Sequence, residues 1–171
     1  MSPYGATKLA GEALCSAFAG SYGVPTTVLR FSNVYGPYSY HKGSVVAAYM
    51  KQVMAGERLI VYGDGEQTRD FVFVGDLVDG IVQALASGLS GEVFHLGTGV
   101  ETSVNGLVEA VQTVFPDHEI EVEHRPERKG EISRNYSDIA KARRLLDFNP
   151  DTDLVDGLAS TRAWFESNTT T

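Results

Sequence analysis

The stretch PYGATKLAGEALCSAFAGSYGVPTTVLRF, residues 3–31, decides how the rest of the chain is read. Gly20 and Gly23 punctuate the end of a first helical stretch, and the β-branched run VPTTVLRF then has strand character. A helix feeding a strand is the repeating step of an alternating α/β domain. At the head of that helix stand Tyr4 and Lys8. A helix advances about 3.6 residues per turn, so the two share a face within reach of each other. A phenol with an ordinary pKa near ~10 becomes a base at neutral pH only beside a cation, which Lys8 can supply. Read alone, such a pair is a surface contact.

Outward from this stretch the alternation continues. SNVYGPYSYHKGS (32–44) reads as a long loop, and VVAAYMKQVMAG (45–56) resumes helical spacing. In LIVYGDGEQTRDFVFV (59–74) two short strands bracket a tight polar turn, before the helix GDLVDGIVQALASG (75–88) with Asp76 near its start. EVFHLGTG (92–99) gives another strand and SVNGLVEAVQTVF (103–115) another helix. The tail runs through EIEVEH (119–124), a mixed-charge loop RPERKGEISRNY (125–136), the helix SDIAKARRLL (137–146) and an amphipathic helix around Leu154 to Phe165. This order predicts an α/β fold with at least partly parallel strands. A dinucleotide-binding fold opens with strand, glycine-rich turn and helix, and the sequence has no such unit. GDGEQT (63–68) and GTGVET (97–102) each lack its third glycine and read as plain turns.

Composition narrows the function. The 171 residues, 43% of them hydrophobic, suffice for one packed domain or part of a larger one. Acidic residues outnumber basic ones 22 to 14, giving a net charge of −8 without a basic run, so nucleic acid is not an expected partner. Cys15 is the sole cysteine, which excludes an internal disulfide and a CxxC metal site and fits a reducing compartment. His41, His95, His118 and His124 lack ligand-like spacing, so no metal is expected. With no stretch apolar enough to span a bilayer and no signal peptide before the first helix, the expectation is a cytoplasmic protein.

SPYGATKLAGE, LRFSNVYGP, VYGDGEQTRDFVFVGDLVDGI and RPERKGEISRNYSDIAKARRLL occur in this order. Together they resemble the extended short-chain dehydrogenase/reductase family, and within it the NAD-dependent nucleotide-sugar epimerases and dehydratases of the UDP-glucose 4-epimerase kind. The resemblance covers residues 1–171 and corresponds to the C-terminal portion of a Rossmann-like fold with its substrate-binding subdomain. The N-terminal half, with its glycine-rich NAD-binding loop and a catalytic Ser or Thr, is expected to be absent. By resemblance Tyr4 is the acid/base on the sugar hydroxyl, and Lys8 holds the nicotinamide ribose and lowers the tyrosine pKa. NAD would take a hydride from the sugar and, in an epimerase, return it to the other face. Ser32 and Val34 would flank the cofactor, Asn33 would bond the diphosphate, Tyr62 would pack on the base and Arg69 would pair with the diphosphate. Arg128 and Glu131 would contact the nucleotide, and Asn135 would gate the sugar pocket and admit acetamido sugars as well as plain hexoses, with neighbouring Tyr136 as the alternative residue facing that pocket.

Each assignment has a plainer counterpart. Asn33 is also a turn residue, Tyr62 a core residue, Arg69 a salt-bridge partner of Asp70 or Asp76, and Arg128 and Glu131 part of a solvated charge run. The resemblance implies a UDP-sugar as ligand, with a homodimer or a complementing N-terminal half as protein partner. A 4,6-dehydratase is the nearest rival, although its added Asp-Glu pair belongs to a segment outside this chain. A non-catalytic nucleotide-sugar-binding or interaction fragment is the reading from another class.

Overall fold

The computed structural model describes residues 3–168. Helices and strands alternate as expected. Helix α1 (Pro3–Tyr22) feeds β1 (Thr27–Phe31), then come β2 (Asn33–Tyr35), α2 (Val45–Met54), β3 (Leu59–Tyr62), β4 (Thr68–Arg69) and β5 (Phe71–Phe73). They are followed by α3 (Val74–Ala86), β6 (Glu92–Leu96), β7 (Thr102–Ser103), α4 (Val104–Val114), β8 (Val122–Arg125), α5 (Ala140–Leu146) and α6 (Leu154–Asn168). The pairs β1–β6, β2–β5 and β3–β8 are parallel, and β4–β7 is antiparallel.

The segment 32–44 is not wholly a loop. Asn33–Tyr35 pair in register with Phe71–Phe73, 38 residues further on, so a three-residue strand exists only because its partner does. Only Ser32 separates β1 from β2. There the chain leaves β6 for β5: the Ser32 amide donates to the Leu96 carbonyl at 3.0 Å, and the Asn33 amide donates to the Asp70 carbonyl at 2.9 Å. Such a change of partner at the carboxyl ends of parallel strands opens a crevice, the usual seat of a ligand in an α/β sheet.

Two apolar clusters hold the described residues together. In the larger one, Val46, Met50 and Val53 of α2 meet Leu107 and Val111 of α4, Leu158 and Phe165 of α6, and Leu59 and Val61 of β3. The smaller one gathers Phe94 and Leu96 of β6, Leu77 of α3 and Leu146 of α5 around Phe148. Helix α4 starts on a side-chain cap, with Ser103 Oγ accepting from the Gly106 amide at 2.9 Å. Helix α6 approaches β2 at Gly157, where any Cβ would collide with the Tyr35 hydroxyl.

Helix α1 is the exception. None of its described residues is buried, and Leu9, Leu14, Phe18 and Tyr22 are exposed. It is tied to β1 by the Glu12–Arg30 ion pair (2.5 Å) and by Thr26 Oγ1, which donates to the Cys15 carbonyl at 3.0 Å. Beyond β6, no other strand among the described residues pairs with β1. No described helix is long and apolar enough to cross a membrane.

Candidate nucleotide-sugar site

The residues singled out from the sequence fall into two neighbouring groups. The first surrounds the β1–β2 crevice. Tyr4 from the first turn of α1, Asn33 from the start of β2, and Asn135 and Tyr136 from the late loop line one cavity of about 420 Å³, with Arg30 and Ser137. Tyr4 is 71% exposed, so its hydroxyl is open to a ligand. Lys8 Nζ lies 5.2 Å from the centre of the Tyr4 ring, as the four-residue spacing requires. Both residues also border a second opening of about 780 Å³ between α1 and β1. Ser32 lies in the crevice wall, but its hydroxyl is engaged with Asp70 and Ser137. Val34 lines neither opening; its side chain packs against the smaller apolar cluster.

The second group lines a cleft of about 350 Å³ between α2, β3 and the late loop, where Tyr62, Arg69, Arg128 and Glu131 meet. The Arg128 guanidinium is stacked on the Tyr62 ring, 3.8 Å from its centre. Hydrogen bonding from Arg128 draws the Tyr62 phenol below its ordinary pKa, with Arg125 adding to the effect, and raises Arg128 in turn. At the cleft floor Tyr49 donates its hydroxyl to the Ile60 carbonyl at 3.1 Å. Burial pushes its phenol up to about 12 against the opposing pull of Arg128. Arg69 bonds the carbonyls of Thr68 and Ile132, both at 2.7 Å, and forms an ion pair with Glu131. Neither Asp70 nor Asp76 is its partner. Strand alternation turns Asp70 away from Arg69 into the interior, and Asp76 accepts from the Thr152 hydroxyl at 2.8 Å.

Several residues of these walls carried no functional mark in the sequence. Arg30 sits inside the quoted LRFSNVYGP, yet only the fold brings it between Glu12 and the crevice, with Nη1 3.4 Å from His95 Nε2. Tyr49 and Gln67 reach the cleft from segments that read as ordinary helix and turn. Asp70, read from the sequence only as a candidate partner of Arg69, stands directly before the apolar run FVFV, a placement that could have signalled a satisfied buried carboxylate. Among the described residues no group of three or more His, Cys, Asp or Glu is placed to hold a metal.

Comparison with known proteins adds to this geometry. Residues 1–97 match the NAD dependent epimerase/dehydratase family. The chain is 36% identical over 170 residues to a UDP-glucose 4-epimerase of Mycolicibacterium smegmatis, covering 97% of this chain and 53% of that protein. It is 34% identical over 167 residues to a dTDP-glucose 4,6-dehydratase of Streptomyces niveus, covering 98% and 49%. The crystal structure of UDP-glucose 4-epimerase from Thermotoga maritima with UDP-glucose superposes with a TM-score of 0.92 at 36% identity, covering 99% of this chain and 55% of that one. The chain thus spans about half the length of the relatives it matches.

Proposed function

The chain belongs to the NAD dependent epimerase/dehydratase family, and from that we propose that residues 1–171 form the catalytic-helix and substrate-binding portion of a UDP-hexose 4-epimerase. One juxtaposition carries the reading: Tyr4, with Lys8 against its ring, opens onto the same cavity as Asn33 and Asn135. The cleft of Tyr62, Arg69 and Arg128 takes the nucleotide. Its aromatic ring suits a base, and its guanidinium groups suit the diphosphate through charge-assisted bonds. An entering diphosphate competes with Glu131 for Arg69, which frees that carboxylate for the nucleotide.

The sugar then lies between Asn33, which bonds the diphosphate where it joins the sugar, and Asn135. Asn135, smaller than tyrosine, leaves room for an acetamido group and can bond it. Tyr4 accepts the sugar hydroxyl proton and later returns it. The Lys8 cation offsets negative charge on the phenolic oxygen. The C4 hydrogen of an unoxidised sugar is not acidic, so proton transfer alone does not invert that carbon. NAD, when bound, supplies the reversible two-electron oxidant.

The residues present fit one end of that cofactor. Exposed Tyr4 and Lys8 on the rim of the α1–β1 opening suit its ribose, and Ser32 borders the adjoining crevice, whereas Val34 packs on the smaller apolar cluster and offers the cofactor no side chain. Both described Gly-x-Gly turns lead into strands, β4 and β7, so neither offers the helix N-terminus that a pyrophosphate needs. A complementing glycine-loop half, seated on the unpaired edge of β1 and on α1, is the partner this arrangement calls for. The lone thiol of Cys15 fits a cytoplasmic setting.

The 34% identity to the Streptomyces niveus enzyme favours a second reading, a 4,6-dehydratase with the same Tyr–Lys pair. Product analysis separates the two, as an inverted hexose or a 4-keto-6-deoxy sugar. The direct test supplies the chain with the N-terminal half of the Thermotoga maritima relative. Tyr4→Phe is expected to lower kcat by about 10²–10⁴-fold with UDP-glucose affinity retained, whereas Arg69→Ala mainly raises KM. Equal losses of affinity in both variants would overturn this division of roles.

A further inference from the structure

We propose that Asp70 is the positioning residue of the sugar pocket, setting its width by tethering the segments that carry Asn33 and Asn135 to one buried carboxylate. The proposal rests on the functional reading above. Asp70 is 1% exposed. Its Oδ1 accepts from the Thr98 amide (2.9 Å) and the Thr98 hydroxyl (2.7 Å). Its Oδ2 accepts from the Ser32 hydroxyl (3.0 Å), the Gly99 amide (3.1 Å) and the Ser137 amide (3.2 Å). Ser32 Oγ and Ser137 Oγ, 2.8 Å apart, close a triangle over the carboxylate. The Asp70 carbonyl receives Asn33 through its amide at 2.9 Å and its side-chain Nδ2 at 3.3 Å.

Asn33 therefore stands one residue beyond one tether, and Asn135 two residues before another. Asn135 is also fixed directly, its amide donating to the Thr68 carbonyl at 3.2 Å. The two walls of the cavity share a single anchor. Only an acceptor-only group serves there. An amide nitrogen in place of either oxygen would face donors, and a buried mismatch of this kind is costly. The space is full as well: a Cβ on Gly97 would strike both Ser32 Oγ and Asp70 Oδ2.

The nucleotide cleft does not hang on this anchor. Arg69 is held by Thr68, Ile132 and Glu131, and Tyr62 by Arg128. Loss of the Asp70 carboxylate should thus separate recognition of the sugar from recognition of UDP. A merely structural role would weaken both together.

Calorimetry on the unaltered chain with UDP and with UDP-glucose measures what the sugar adds, expected to be severalfold in affinity. In Asp70→Asn, UDP should lose no more than the Asn33 bond to the diphosphate supplies, about fivefold in affinity, while the sugar's gain disappears, and Ser32→Ala should lose part of that gain. Amide exchange at Thr98, Gly99 and Ser137 should quicken at least about tenfold in Asp70→Asn. A sugar gain that survives the substitution, no gain in the unaltered chain, or equal loss of both ligands in a variant that melts normally would overturn the proposal. Should Asp70→Asn fail to fold, Ser32→Ala and Ser137→Ala take its place, and an intact gain in both would be decisive against it. If UDP does not bind the unaltered chain, the functional reading falls. The exchange rates and the Asn33 and Asn135 side-chain amide resonances then still decide on Asp70, and unmoved values overturn its role.

Discussion

Helices α1 and α4 are built from similar small and apolar residues, yet they end in opposite surroundings. In 11 residues α4 buries Val104, Leu107, Val108, Ala110, Val111 and Val114, whereas α1 buries none in 20. The difference lies in what stands opposite. Helix α4 finds α6 and α2 across a shared core, while α1 meets β1 through an ion pair, one hydroxyl bond and an open cavity. A helix face packs where a complementary face exists, however apolar its sequence. The cleft of Tyr62, Arg69 and Arg128 accordingly stands on the larger core, and Tyr4 and Lys8 stand on a helix that buries no side chain.

The comparison breaks most directly at the core. Leu107→Ala should cost about 2–5 kcal/mol in urea unfolding, and Leu14→Ala should stay within about 0.5 kcal/mol. Similar losses at both positions would mean that α1 is as firmly packed as α4. Hydrogen exchange sharpens the contrast: amides of α4 should be protected at least about a hundredfold more than those of α1. Addition of the complementing half should bring α1 towards the level of α4.

The smallest effect concerns the clasp of α1. Hydrogen bonding from Arg30 holds the Glu12 carboxyl below its ordinary value. A carboxyl depressed in the folded state contributes stability above its unfolded value, about 4.3, and loses it as pH falls through the folded value. Acidification below about pH 4 should therefore lower the protection of α1 amides, measured against their intrinsic exchange rate at each pH, in the unaltered chain. The Glu12→Gln difference curve should flatten there, and an unchanged pH profile in that variant would remove Glu12 from the clasp. The pair is solvent-facing, so its effect is modest and salt-sensitive.

What the sequence conveyed follows the range of the interactions. Helical spacing places Tyr4 and Lys8 together, and the ends of α1 and α3 follow from glycines and an early acid, all local signals. Strand β2 was hidden in a turn-rich run because its pairing with Phe71–Phe73 is non-local. Arg69 was read against its neighbours Asp70 and Asp76, but its partner Glu131 lies 62 residues away. The donors that surround Asp70 come from positions as distant as Ser137, so a reading limited to sequence neighbours took Asp70 for a partner of Arg69 and missed its burial.

A parallel strand with one unpaired edge, beside an uncovered apolar helix, is also an adhesive surface. Crowded copies of the chain would join edge to edge there, and colloidal behaviour would favour polar residues at Leu9, Leu14 and Phe18. Docking of the proposed complementing half would favour the opposite. A lysine at position 14 would make the chain easier to concentrate and, on the proposed reading, would weaken the seat of the complementing half.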